Sequence, residues 1–123
     1  MASTSSLLLD EEGGITELFE ICLKRIFAKY CTPSPSNPLE LPEDAYISPG
    51  GLDRWAIDTN GEPFSKETKD ELLEFMDVNE QGDLTFKGFL QVYQLQTEND
   101  EEETWRDLSR HGFDRSLAFN GSS

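Results

Sequence analysis

Between Asp77 and Gly88, oxygen-bearing groups recur at alternate positions: the side chains of Asp77, Asn79 and Gln81, then the backbone carbonyl of Asp83, then Thr85 directly or through a water. Such alternation lets one tightly curled loop aim successive oxygens at a common centre, which a hard cation such as calcium requires. Gly82 stands at the sharpest part of the curl, where left-handed backbone penalises any residue with a Cβ. Leu84 follows as an apolar residue to be buried. Calcium takes about 6–8 oxygens, several of them charged. This segment contributes one certain carboxylate, Asp77, and the twelfth position, where a bidentate Glu would complete the shell, is Gly88. Without that Glu the site loses two ligand atoms, a negative charge and the contact that draws the exiting helix toward the ion. The expected affinity is roughly 10⁻⁴–10⁻³ M or poorer, so the site would be empty at resting cytosolic calcium. Asp77 also has an ion-free reading, in which a helix-terminal Asp accepts hydrogen bonds from loop N–H groups and holds the turn. Glu80 falls at a non-ligand position. Asp58-Thr59-Asn60-Gly61-Glu62 has a similar composition but has Pro63 where the sixth-position Gly belongs, and reads as a linker.

Helices must flank such a loop, and the apolar spacing supplies them. Ile15, Leu18, Phe19, Cys22, Ile26 and Tyr30, widened by Leu23 and Phe27, predict a helix over 15–30. Pro33, Pro35, Pro38 and Pro42 make 32–42 a connecting loop. Residues 45–48 predict a very short strand. Ser48 then caps a helix that starts at Pro49 and runs to about Ile57, with Leu52, Trp55, Ala56 and Ile57 apolar. Ser65 or Thr68 caps the next helix, which runs to Met76 with Leu72, Leu73, Phe75 and Met76 on its apolar face. After the loop, a helix to about Gln96 turns Phe86, Phe89, Leu90, Tyr93 and Leu95 inward; Trp55, Phe75, Phe89 and Tyr93 are expected in the core. Asp100 caps a final helix whose first-turn glutamates suit the helix dipole. That helix carries Trp105 and Leu108 and ends before Gly112, and His111 is expected there as a C-terminal dipole partner. Residues 1–13, with Leu7, Leu8 and Leu9, and 118–123 are expected to be loose tails.

The 123 residues suit one domain, and 25 acids against 10 bases leave a net charge of −15. That balance disfavours nucleic acid and anionic membrane, and suits cations or basic protein segments. Cys22 and Cys31 form no metal or redox motif, which implies no disulfide framework and a reducing, cytoplasmic setting. No signal peptide and no apolar run of membrane-spanning length is apparent. Enzyme readings find no support: His111 is the only histidine, and there is no nucleophile elbow, zinc-type cluster or phosphate loop. Catalytic and cofactor-binding residues are therefore expected to be none.

The Asp77–Gly88 pattern resembles the calcium loop of EF-hand proteins, with the final ligand lost. From Asp83 onward the chain also resembles the EF-hand module of the mitochondrial Rho (Miro) GTPases. That family carries L-T-x-x-G-F-L, then E-T-T-W-x-x-L, then G-Y-D-x-x-L. Here they are matched by Leu84-Thr85-Phe86-Lys87-Gly88-Phe89-Leu90, by Glu103-Thr104-Trp105 with Leu108, and by Gly112-Phe113-Asp114 with Leu117. The resemblance covers about a third of the chain. It implies a hand that holds no metal and a following helix that folds back to fill the groove a target peptide would take. Trp105, Leu108 and Phe113 would plug that groove. GTPase domains, a phosphate loop and a membrane anchor do not carry over, and the first hand has no acidic loop of the right form.

Together these readings predict an all-α fold: two EF-hand helix–loop–helix units over 14–96 (14–58 and 65–96), joined by a minimal two-stranded loop pairing, with a C-terminal capping helix over 97–117. The expected function is a non-catalytic, monomeric interaction module with a protein or peptide partner and no membrane insertion. The alternative is a weak calcium sensor or buffer using 77–88.

Overall fold

Each helix starts where a short polar side chain can accept from the exposed N–H groups of a first turn. In the computed structural model, which describes residues 7–119, Thr16 caps α1 (Glu17–Ala28), Ser48 caps α2 (Pro49–Asn60) with Pro49 in its first turn, and Ser65 caps α3 (Lys66–Phe75). Thr85 caps α4 (Phe86–Asn99) and Asp100 caps α5 (Glu101–Arg110). The Ser48–Pro49 and Asp100 starts agree with the sequence, and of the two caps offered for α3, Ser65 takes the role. Two-residue strands lie between the helices: β1 (Cys31–Thr32), β2 (Tyr46–Ile47) and β3 (Leu84–Thr85).

The expectation of an all-α fold with a two-stranded pairing is overturned. The described residues form five helices and a three-stranded antiparallel sheet in the order β1-β2-β3, which makes the architecture mixed α/β with a small sheet. Ile47 lies opposite Leu84 on one side and Cys31 on the other. The extra strand arises because the chain leaves α1 extended with Cys31 buried, and the proline-rich connection returns it antiparallel at Tyr46.

The core is one apolar cluster. Phe19, Leu23, Ile26 and Phe27 of α1 meet Phe89 and Tyr93 of α4, Leu52 and Trp55 of α2, and Leu108 of α5. Aromatic rings set much of the packing, with Phe27 edge-on to Phe89 and Trp55 tilted against both Phe89 and Tyr93.

Several expectations fail for packing reasons. Leu8 is fully buried rather than part of a loose tail, and Thr16 ties the segment down by donating its N–H to the Leu8 carbonyl and its hydroxyl to that of Leu7. Residues 1–6 and 120–123, expected as tails, lie outside the described residues, while Phe119 bridges back to Phe113. Ile15 pairs with Leu9 instead of opening α1. Phe75, expected in the core, is 71% exposed, and Leu95, expected inward, is 51% exposed. The cause is α3, which fully buries no residue: Leu72 and Leu73 pack partly against the core, and Phe75 is left outward beside α4. No helix among the described residues is long and apolar enough to cross a membrane.

Candidate functional site

The 77–88 loop curls tightly. Gly82 has φ +84°, and Asn79 and Asp83 close the turn with an N–H···O bond of 2.9 Å. Several of its oxygens, however, are committed to the protein. The Thr85 hydroxyl donates to Asp77 Oδ2 at 2.5 Å, and both the Thr85 hydroxyl and its N–H reach the Asp77 carbonyl. Asn79 Oδ1 accepts from the backbone N–H groups of Gln81 at 3.0 Å and Asp83 at 2.9 Å. Asn79 thus performs the turn-holding task that the ion-free reading gave to Asp77. Gln81 donates its N–H to that turn, and Glu80 is exposed. The Asp77 N–H is anchored across to Gln91 Oε1 at 2.7 Å.

Position 88 is where a closing carboxylate would have to start. There a Cβ would overlap the Asp77 carbonyl oxygen and crowd Leu84 Cδ1. The first turn of α4 therefore sits against the entry of the loop, in the space a closing side chain would need. Among the described residues, no group of three or more His, Cys, Asp or Glu side chains is arranged to hold a metal ion.

Trp105, Leu108 and Phe113 are buried where α5 packs on α4 and α2. The Trp105 indole N–H donates to Glu101 Oε2 at 3.1 Å, and the Arg115 guanidinium lies over its ring at 4.8 Å. Beside α5 a groove stays open between α3 and α4. Its volume is about 560 Å³, its floor is Leu72, Met76 and Val92, its rim carries Phe75 and Leu95, and Glu71 and Glu103 border it. The two lysines of α3 are already paired, Lys66 with Asp70 and Lys69 with Asp53.

Two polar networks escape the sequence reading. His111, expected to charge the end of α5, is buried. Lys29 Nζ donates to its Nδ1 at 3.0 Å, so Nε2 carries the proton and donates to Thr59 Oγ1 at 2.8 Å. Burial first, and the Lys29 ammonium second, push the imidazole down to about 4, so it is neutral and adds no positive charge to the helix end. Burial likewise lowers the Lys29 amine. Nearby, Tyr30 donates to Asp58 Oδ2 at 2.7 Å, and Arg110 donates to the Thr59 carbonyl.

In the second network the Trp55 indole N–H donates to the Tyr93 hydroxyl at 3.3 Å, which donates to Asp107 Oδ2 at 3.2 Å. Gln96 Nε2 adds a third bond, to the same carboxylate oxygen, at 3.0 Å. Asp107 is 7% exposed, and burial raises its pKa above the usual carboxylate range. A signal for it was available: Asp107 lies three residues after Thr104 and four before His111, on the inward face of α5.

Compared with known protein families, with curated proteins and with solved structures, the chain matches none.

Proposed function

We propose that the chain is a non-catalytic interaction module, built around a degenerate EF-hand-like loop, that receives a basic, apolar-faced helical segment of another protein between α3 and α4. The observation that carries this reading is the joint exposure of Phe75 and Leu95 along one groove edge, over a floor of Leu72, Met76 and Val92. Contiguous apolar surface of this kind rimmed by charge marks an interaction face. The rim here is acidic, and the whole chain carries −15, so the complementary segment is basic. Trp105, Leu108 and Phe113 are buried within the chain and do not line this groove, which is left to the partner. The chain acts as a monomer in the cytoplasm, consistent with its two cysteines being buried and unpaired.

The test is titration with a designed Leu/Lys amphipathic helix, against a Leu/Glu helix of the same length. The Leu/Lys helix is expected to saturate, to shift Phe75 and Leu95 resonances, and to weaken with salt. A Phe75→Ser/Leu95→Ser double variant should lose at least tenfold in affinity while remaining folded, since both side chains are exposed. Equal binding of the two helices, or of the variant, removes the proposal.

The second reading is a calcium sensor or buffer. The alternation of Asp77, Asn79 and Gln81 about the left-handed Gly82 is the one observation that favours it. The internal hydrogen bonds of Asp77 and Asn79, and the closure at Gly88, weigh against it.

A further inference from the structure

Behind the α3–α4 groove lies a smaller cavity of about 210 Å³ with Trp55, Tyr93 and Asp107 deep in it; Thr68, Leu72, Val92 and Gln96 line both spaces. We propose that this cavity is a receptor for the guanidinium group of an arginine carried by the docked segment. The source of that arginine rests on the docking proposal above; the chemistry of the cavity does not.

The argument is an inventory of donors and acceptors. The indole N–H of Trp55 is spent on Tyr93, and the hydroxyl proton of Tyr93 is spent on Asp107. Both amide hydrogens of Gln96 are spent, one on Asp107 Oδ2 and one on Thr104 Oγ1 at 3.1 Å. An amide pointing its N–H₂ at a carboxylate has only its carbonyl oxygen left to offer. Both bonds that Asp107 receives fall on Oδ2, and Oδ1 carries none among the described residues. Among the described residues no side-chain oxygen or nitrogen sealed from solvent lacks a partner, so Oδ1 keeps solvent access. Asp107 and Gln96 both line the cavity, and their Oδ1 and Oε1 accept no hydrogen bond among the described residues, while the donors of Gln96 and Tyr93 are engaged.

Such a surface selects a ligand made of donors. It repels anions and gives a carbonyl nothing to accept from. A buried carboxylate without a counter-charge is costly, and a cation offsets that cost. None of the ion pairs among the described residues involves Asp107, and Arg110, one turn further along α5, donates to the Thr59 carbonyl instead. The raised pKa of Asp107 has burial as its first cause, which outweighs the opposing pull of the Arg110 charge. Guanidinium fits better than ammonium on two grounds: it is the more weakly hydrated of the two, and its planar fork of N–H groups can serve two acceptors while its face lies on an aromatic ring. Trp55 and Phe64 supply such rings in the cavity lining. At ~30 Å³ per water the volume equals roughly seven waters, enough for the end of an arginine side chain.

The experiment follows the Trp55 indole N–H resonance during titration with N-acetyl-arginine methylamide, and with the citrulline analogue, which keeps the shape and loses the charge. The arginine probe is expected to give a saturable shift at millimolar concentration, and citrulline none over the same range. Asp107→Asn should weaken the arginine response at least tenfold. Trp105 lies outside the cavity and serves as the internal reference. Equal responses at both indoles would mean diffuse attraction to an acidic surface and would overturn the proposal, as would equal responses to the two probes. Should Asp107→Asn not fold, the arginine–citrulline contrast in the native chain decides alone. If the Leu/Lys helix binds while the arginine probe leaves Trp55 unmoved, the cavity assignment falls and the docking groove stands; the converse result separates them the other way.

Discussion

Gly88 lies directly against Asp77: any Cβ at 88 would overlap the Asp77 carbonyl oxygen. A carboxylate placed at 88 would therefore find no room to reach the loop. The start of α4 fills that space, and Thr85 fastens it there by bonding both Asp77 and the Gly88 N–H.

Restoring the acid should consequently fail. Gly88→Glu is expected to cost about 1–3 kcal/mol through overpacking, read as a lower urea midpoint at unchanged slope. Millimolar calcium should not recover that loss, because only an ion bound by the folded state would stabilise it. In the native chain the Gly82 amide should move, if at all, only at millimolar calcium. Micromolar saturation, abolished by Asp77→Ala, would instead establish the sensor reading.

Trp105 and Phe75 give opposite expectations from similar chemistry. Trp105 is buried between α5 and its neighbours, so Trp105→Ala should cost about 3–5 kcal/mol in chemical denaturation. Phe75→Ala removes a ring that is 71% exposed and should stay within about 0.5 kcal/mol. A small loss at Trp105 would mean that α5 does not hold the core.

His111 makes stability depend on pH. Its folded value of about 4 lies below the ordinary 6.5, so the unfolded chain takes up the proton first as pH falls. Stability contributed by the neutral imidazole is full above pH 6.5, declines between 6.5 and 4, and levels off below, by on the order of 3 kcal/mol in total. Lys29, Thr59, Tyr30, Asp58 and Arg110 surround the ring region. Asp107 works in the opposite sense, since its raised folded pKa favours folding at low pH and loses that contribution as pH rises through it. The His111→Gln variant should flatten the decline between pH 6.5 and 4; an unchanged profile would place the titration elsewhere.

Local punctuation was legible in the chain. Ser48–Pro49, Asp100 and Gly82 do their work within a few residues, through a cap, a fixed φ or a left-handed turn, and all three stand where spacing placed them. What was not legible depends on which faces meet. Phe75 sits at helical core spacing, yet it stands at the open edge of the α3–α4 groove and is 71% exposed. The β1 strand follows from a return path set by the thirteen residues of connection, 33–45, rather than by Cys31 or Thr32 themselves. The Lys29–His111–Thr59 contact joins positions 82 and 52 residues apart, beyond any local pattern. Asn79 takes the turn-holding task expected of Asp77, whose Oδ2 accepts from the Thr85 hydroxyl instead.

The central placement of β2 has a mechanical consequence. Tyr46 and Ile47 are stitched along both edges, so the strand pairings of the N-terminal and C-terminal halves meet at this one pair of residues, over a core the two halves also share. Loosening that pair frees both loops at once, so the halves should melt together in one step rather than peel apart in sequence.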